Sequence, residues 1–430
     1  MSAYTEAVSY INDIVKFTAK NDLDHTRECL AKLGNPEKSF DVIHVAGTNG
    51  KGSTCAFMAS ALTESGVRTG LFTSPHLIRM NERFRVDGEM VSDEAFLRAF
   101  DRVKAVSEEM MAEGKTHPTY FEFIFLMGML LFAETGTDLV VLETGLGGRL
   151  DATNVIPDPL VSVIVSIGFD HMKYLGDTIT AIAGEKAGII KPGVPVVADD
   201  TSEEALAVIR AKAAETGVPL KILADAESRT VKTGADGIDF TTMIPAYRGI
   251  VFHLPFAAPY QVRNASLALL ALDSIRDRYP VDARTAADGL RKARWDGRMQ
   301  CIGEKTYVDG AHNAHGVAAF LSAAQMIAGE EEITLVFGAM ADKDYRPMTQ
   351  EIVDALHPVK VYTTKADEWR GAEADMLAQL YRDAGAENVE AVDVPEEAWK
   401  KAVREHTKGY LFGVGSLYLI GRILKIHDQL

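Results

Sequence analysis

The chain has 430 residues, 47% of them hydrophobic and 25% charged, enough to bury a sizeable core in two or three domains. Its formal charge of −16 disfavours duplex DNA, which needs an excess of Lys and Arg to neutralise phosphate, so no nucleic-acid partner is expected. Three widely spaced cysteines (Cys29, Cys55, Cys301) form no CxxC pair, disulfide framework or zinc motif. Met1 to Ala7 does not read as a signal peptide, and the apolar run Phe123 to Ala133 falls short of the roughly 20 residues of a membrane span, so a cytoplasmic protein with no membrane partner is expected.

From the N-terminus, Tyr4 to Phe17 carries Val8, Ile11, Ile14, Val15 and Phe17 at helical spacing. Asp41 to Ala46 is an apolar run that reads as a buried strand, and Thr54 to Ser65 reads as a helix. Between them lies Gly47-Thr48-Asn49-Gly50-Lys51-Gly52-Ser53. A strand, a glycine-rich turn and a helix make a phosphate cradle, because backbone N–H groups and the positive helix end face the anion. Lys51 suits the outer phosphates and Ser53 a magnesium ion, although Gly52 separates them where the usual pattern has Lys followed by Ser or Thr.

Arg68 to Thr73 is the next predicted strand, followed by helices over Asp93 to Ala112 and Thr119 to Glu134. The strand Leu139 to Glu143 ends in Glu143-Thr144-Gly145-Leu146-Gly147-Gly148-Arg149, where a carboxylate can hold magnesium or be an ordinary surface acid. The glycine spacing does not fit a dinucleotide fingerprint. The strand Val161 to Ser166 runs into Gly168-Phe169-Asp170-His171, whose histidine reads as a metal ligand or as part of a turn. Thr178 to Lys186 is helical, and Lys186 either complements the helix C-terminus or is desolvated, with a depressed pKa and an amine open to modification such as carbamylation. Val194 to Ala198 is a further strand. Residues 229–256 break the alternation with short β-like pieces and the turn signal Ala235-Asp236-Gly237, before helices over Gln261 to Tyr279 and Asp282 to Lys292.

A hinge is expected at Trp295 to Gln300. Beyond it, Thr306 to Asp309, Ile333 to Phe337, Val359 to Tyr362, Val389 to Val392 and Tyr410 to Val414 read as strands. Helices over Ala314 to Ile327, Ala372 to Ala384 and Glu396 to His406 lie between them. The alternation implies right-handed βαβ units and mostly parallel sheets. At Asp309-Gly310-Ala311-His312-Asn313, Asp309 suits ribose hydroxyls and His312 a phosphate or base, although a bare Asp-Gly turn is common.

Further blocks are Thr73-Ser74-Pro75-His76-Leu77 with Asn81-Glu82-Arg83, Leu142 through Asn154, Gly184 to Gly188, Gly297-Arg298, Asp342-Lys343-Asp344 and Gly415-Ser416-Leu417-Tyr418. With the loop and its extra glycine, these blocks in this order resemble the folylpolyglutamate synthase and dihydrofolate synthase family of the Mur ligase superfamily, over nearly the whole chain. The resemblance implies an α/β protein: a P-loop ATPase domain with a mostly parallel sheet over 1–296, and a smaller Rossmann-like glutamate-ligase domain over 297–430. It implies an ATP-dependent ligase, monomeric, adding L-glutamate to folate, with dihydropteroate as an alternative or additional acceptor, through an acyl phosphate. The loop Gly47 to Ser53 would bind ATP, with Asn264 at adenine, Asp309 at ribose, and Arg298 and His312 at phosphates. Ser53 and Glu143 would hold one Mg2+, and His171 a second near a carbamylated Lys186. Lys51, His171 and Lys186 would be the catalytic groups. Ser74, Pro75, His76 and Arg83 would face folate, and Lys343 and Ser416 glutamate. ATP ligands on both sides of the hinge imply domain closure that excludes water. The alternative is a P-loop switch or motor acting on a macromolecular partner.

Overall fold

The computed structural model describes residues 2–14, 21–224, 228–234, 236–341, 343–368 and 370–427. Val15, Phe17, Ala235 and Asp342 of the expected elements and motifs lie outside the described residues. The chain divides into two compact units, each assembled from separated stretches: Met1–Arg229, Thr241–Phe252 and Arg263–Ala293 in one, Thr230–Phe240, His253–Val262 and Arg294–Leu430 in the other. A three-stranded sheet forms from Ser228–Gly234, Gly237–Thr242 and Phe252–Leu254, in the region of short β-like pieces.

The first unit is built on an eight-stranded sheet ordered Glu89–Met90, Phe84–Val86, Thr69–Phe72, Leu139–Glu143, Asp41–Ala46, Val161–Ile164, Val196–Asp199 and Leu220–Leu223. The last six are parallel, and the first two form an antiparallel margin. The strands in the middle of the sheet are buried on both faces, which is why they read as continuous apolar runs. Helix Tyr120–Glu134 starts on a capping box between Thr119 and Glu122, and every residue from Glu122 to Phe132 is buried. Having no polar face, it lies in the core with Phe72, Phe84 and Phe100. Each such buried phenylalanine contributes about 1.5–3 kcal/mol. Among the described residues no helix is long and apolar enough to cross a membrane.

Three strands of this sheet lie beyond the sequence expectation, Phe84–Val86, Glu89–Met90 and Leu220–Leu223, as does helix Glu203–Thr216. The helix buries Ala205, Leu206, Ile209 and Ala213, and its alanines give little apolar contrast; the edge strand Leu220–Leu223 is short and only partly buried.

The second unit holds a six-stranded sheet ordered Gln300–Gly303, Thr306–Asp309, Tyr410–Val414, Ile333–Phe337, Lys360–Thr363 and Val389–Ala391, all parallel except the first. Alternate residues enter the cores on its two faces. Tyr307, Leu335, Val361 and Phe412 pack on one side with Phe320 and Tyr381, while Val308, Val336, Tyr362 and Leu411 pack on the other with Trp399.

Candidate active site

In the first unit the strand Asp41–Ala46 delivers the loop Gly47–Gly50, and the helix Lys51–Glu64 begins at once, three residues earlier than the pattern predicts. Gly50 stands before it with φ +89, and its carbonyl accepts the first helical bond from Thr54 N at 2.9 Å. Glycine, with no Cβ, takes this left-handed conformation at no steric cost, and the helix opens directly after it. The N–H groups of Lys51, Gly52 and Ser53 therefore lie in the first helical turn, at the positive end of the helix.

The loop is held from beneath by the segment that follows Val161–Ile164. Thr48 N donates to Ser166 O at 2.8 Å, Thr48 Oγ1 exchanges hydrogen bonds with Gly168, and Ser166 Oγ donates to Asn49 O at 3.1 Å. Gly47 has φ +150 and a Cβ there would overlap Val165, so the tight approach requires glycine. The Asn264 side chain, on helix Tyr260–Ser274, occupies the space a Gly50 Cβ would take. Arg263 beside it pairs with Asp199 at 2.6 Å and with Asp200, anchoring this helix to the end of strand Val196–Asp199.

Lys51 Nζ donates to Gly47 O at 3.1 Å and Thr48 O at 3.2 Å, and stands 3.9 Å from Glu143 Oε1. Glu143 ends its strand 3% exposed, and its Oε2 accepts from Ser74 N at 3.0 Å. Pro75 follows Ser74 through a cis peptide bond. His76 Nδ1 accepts from Arg83 Nε at 2.9 Å, and the buried Arg83 guanidinium lies 5.8 Å from the Tyr120 ring centroid.

Lys186 does not complement its helix end in solvent. It is 4% exposed, and its Nζ donates to Gly47 O at 2.6 Å. Burial, then the neighbouring Lys51, push its pKa down to about 7, against the opposing pull of Asp170 and Asp151. His171 does not sit at a strand end. It lies seven residues beyond Ile164 with φ +51, at the start of the short helix Met172–Leu175, and its N–H donates to Asp170 Oδ1 at 2.8 Å.

Spacing alone did not single out Asp151. Its carboxylate, buried, accepts from Gly145 N at 3.1 Å, Leu146 N at 2.8 Å and Thr153 Oγ1 at 2.6 Å, and so shapes the loop after Glu143. Thr153 also bonds His44 Nε2 at 2.8 Å, inside the first strand of the site. Only the short span from Asp151 to Thr153, a side chain capping N–H groups near in sequence, could have signalled this.

Among the described residues no group of three or more His, Cys, Asp or Glu is placed to hold a metal ion. Mg2+ at a phosphate site takes one or two protein oxygens and fills its octahedron with water and phosphate. A buried carboxylate, Glu143, and a buried hydroxyl, Ser53, are donors of that kind, and the residues fit the ion.

The second unit collects its predicted residues at the C-terminal rim of its sheet. Asp309 is buried. Its Oδ2 accepts from Tyr260 OH at 2.9 Å and Met299 N at 2.8 Å, and its Oδ1 from Ala311 N at 2.8 Å. Burial raises its pKa, against Arg298, the Tyr260 hydroxyl and the two N–H groups. Gly310 leaves room for Arg298 Nη1, and His312 Nδ1–H donates to Gly310 O at 2.8 Å. Lys343 follows strand Ile333–Phe337, and the buried Ser416 follows Tyr410–Val414, accepting Tyr418 N on its Oγ at 3.2 Å.

Residues 45–272 match the Mur ligase middle domain and residues 297–414 the Mur ligase glutamate ligase domain. The chain is 37% identical over 435 residues to the dihydrofolate synthase/folylpolyglutamate synthase of Bacillus subtilis, covering 99% of both chains. It is 36% identical to the folylpolyglutamate synthase of Lacticaseibacillus casei, covering 83% of this chain and 84% of that one. The crystal structure of folylpolyglutamate synthase from Thermotoga maritima superposes with a TM-score of 0.86 at 30% identity, over 99% of this chain and 97% of that one. E. coli FolC in complex with DHPP and ADP gives 0.85 at 29%, over 100% and 98%. The chain belongs to the dihydrofolate synthase/folylpolyglutamate synthase family of Mur ligases.

Proposed function

We propose that this chain is an ATP-dependent ligase that joins L-glutamate to a folate-type acceptor, with dihydropteroate as a second acceptor. The observation that carries the reading is the buried Lys186 on the carbonyl of Gly47, beside Lys51. A nucleotide switch needs one lysine on its phosphates; a second, desolvated lysine beneath the loop adds a group for chemistry. The complex of E. coli FolC with DHPP and ADP supports the pairing of an adenine nucleotide with a pteroate-type acceptor.

In this reading the acceptor carboxylate attacks the γ-phosphorus of ATP, ADP leaves, and an acyl phosphate remains. The glutamate amine then attacks the acyl carbon, phosphate departs with the bonding pair, and the nitrogen gives up one proton to the departing phosphate or solvent. Two anions must meet in the first step, and Lys51 with the N–H groups of Gly52 and Ser53 lowers the repulsion. Magnesium held by Ser53 and Glu143 supplies Lewis acidity toward the phosphate oxygens when bound. His171 is proposed for a second magnesium, Asn264 for adenine, and Arg298, Asp309 and His312 for the remainder of ATP. Ser74, Pro75, His76 and Arg83 are proposed for the acceptor, and Lys343 and Ser416 for glutamate. ATP binding is assigned to 1–296 and glutamate binding to 297–430. The free thiols Cys29, Cys55 and Cys301 fit a reducing cytoplasm, with the chain acting as a monomer.

Lys186 is proposed to be carbamylated. The neutral fraction of its amine, about half at pH 7, adds to carbon dioxide, forms an N–C bond and releases one proton to solvent, so the lysine becomes an oxygen-donor anion. With 13C-bicarbonate the wild type would show a carbamate carbon resonance that Lys186→Ala lacks; identical spectra would remove the modification.

The function is tested by phosphate release from ATP. Release should require both L-glutamate and an acceptor, measured side by side with dihydropteroate and tetrahydrofolate. Release indifferent to glutamate would favour the switch.

A further inference from the structure

In the second unit Phe337 is in register with both Val414 and Thr363, so the segments leaving these three strands start side by side on one rim. The first carries Lys343, the second Ser416 and Tyr418, and the third Arg370. Sequence reasoning gave this third segment no role.

Its placement is fixed by backbone bonds. Ala341 N donates to Arg370 O at 2.8 Å, Ala372 N donates to Ala339 O at 2.9 Å, and Met340 and Gly371 form a β-bridge. Within the segment Asp367 Oδ1 accepts Arg370 N at 2.8 Å, and a Cβ on Gly371 would overlap the Asp367 backbone, so the turn closes only with glycine. The Arg370 backbone is thereby tied to the Lys343 turn. Its guanidinium carbon lies 6.0 Å from the ring centroid of Tyr418, two residues past Ser416. Arg370 thus links the two segments proposed to bind glutamate.

The substrate chemistry asks for such a group. L-Glutamate presents two carboxylates and one amine, and the amine must stay unprotonated and uncommitted in order to attack. Recognition therefore falls on the two carboxylates, and a single ammonium at Lys343 answers one of them. A planar guanidinium, oriented by an aromatic face, suits the other through paired N–H···O bonds. We propose that Arg370 is a specificity-determining residue that binds one carboxylate of the incoming L-glutamate while Lys343 takes the other; this rests on the ligase reading above.

Glutamate-dependent phosphate release by the wild type is the first measurement, and its absence would count against the ligase reading itself. Given that activity, Arg370→Gln should raise the KM for glutamate by about 30-fold or more, the scale of losing hydrogen bonds to a charged group. The KM values for ATP and for the acceptor should stay within about twofold, since neither substrate meets Arg370. The preference for glutamate should collapse against either glutamine, which lacks the side-chain charge, or 4-aminobutyrate, which lacks the α-carboxylate, and persist against the other. Arg370→Lys should recover part of the lost affinity, and Tyr418→Leu should cost less than Arg370→Gln because the charge remains. An unchanged KM for glutamate, or a parallel rise in all three KM values with a lowered Tm, would overturn the proposal and leave Arg370 as a brace for Tyr418.

Discussion

Lys51 and Lys186 donate to the same carbonyl oxygen, that of Gly47. Burial is the main reason that Lys186 has a low pKa, and repulsion between two ammonium groups on one oxygen adds to it. Lys51 keeps access to solvent and to Glu143, so it is the cation free to turn toward phosphate. Lys51→Ala should slow ATP turnover by about 2–4 kcal/mol in kcat/KM, the scale of one lost electrostatic contact in the transition state. Steady-state phosphate release from the folded variant checks this, and wild-type kinetics would dismiss Lys51 from the reaction. At this scale the sequence was legible where the residues are contiguous. Gly47 to Ser53 announces itself, whereas Lys186 meets Gly47 across 139 positions and no spacing rule joins them. Arg263 with Asp199 and Asp200 stayed hidden for the same reason, whereas Asp151, only five and six residues from Leu146 and Gly145, stayed hidden because a carboxylate that satisfies backbone groups has the composition of any loop acid.

The strand Asp41–Ala46 carries the phosphate loop, and its one polar side chain at full burial is His44. Thr153 Oγ1 donates to Asp151, so His44 must offer Nε2–H to Thr153, which leaves Nδ1 buried with no partner among the described residues. Burial, and secondarily Lys191, hold its pKa down to about 3. Between that value and the ordinary 6.5 the unfolded chain binds the extra proton, so stability is unaffected above 6.5 and falls as pH drops below it. The loss is about 1.4 kcal/mol per pH unit. Hydrogen exchange of the strand amides at pH 7 and pH 5 should show this loss, and His44→Gln, which cannot protonate, should flatten it. An equal acid sensitivity in the variant would place the effect elsewhere. The helix Lys51–Glu64 is fixed on its other side by helix Ala283–Lys292. A Cβ on Gly289 would stand 2.5 Å from Ala61 Cα, and Ser60 Oγ donates to Gly289 O at 2.6 Å. Gly289→Leu should therefore destabilise the first unit by about 1–3 kcal/mol, read by urea unfolding in far-UV circular dichroism. No change would mean that the helices separate at little cost. Strands of this unit were legible because burial on both faces leaves unbroken apolar runs. Glu203–Thr216 was not, because its alanines hide which face is inside.

On the scale of the whole chain, the alternation of strands and helices foretold two α/β sheets, but not that segments far apart in sequence would complete each compact unit. Residues 253–262 precede the expected hinge, yet they cluster with Arg294–Leu430. Two of their side chains show why. Ala258 joins the core with Met299, Tyr307 and Phe320, and the Tyr260 hydroxyl donates to the buried Asp309. Neither contact leaves a trace in local periodicity, because an alanine and a tyrosine at a helix start fit many environments. Asp309 has its pKa raised by burial, so in the window above the ordinary carboxylate value the folded state holds the proton more tightly than the unfolded chain. Its contribution to stability therefore falls as pH rises through that window. Tyr260→Phe removes a donor that favours the ionised form. The ionised fraction of Asp309 grows with pH and the donor serves the ionised form, so the cost should be larger at pH 8 than at pH 5, reaching about 1.5–3 kcal/mol where the carboxylate is charged. Trp295 and Trp399, the tryptophans among the described residues, belong to the second unit, so their fluorescence during urea unfolding follows that unit. A loss of equal size at both pH values would mean that Tyr260 contributes packing and not its hydroxyl. A larger loss at pH 8 would mark the Tyr260–Asp309 bond as the tie that draws residues 253–262 into the second unit.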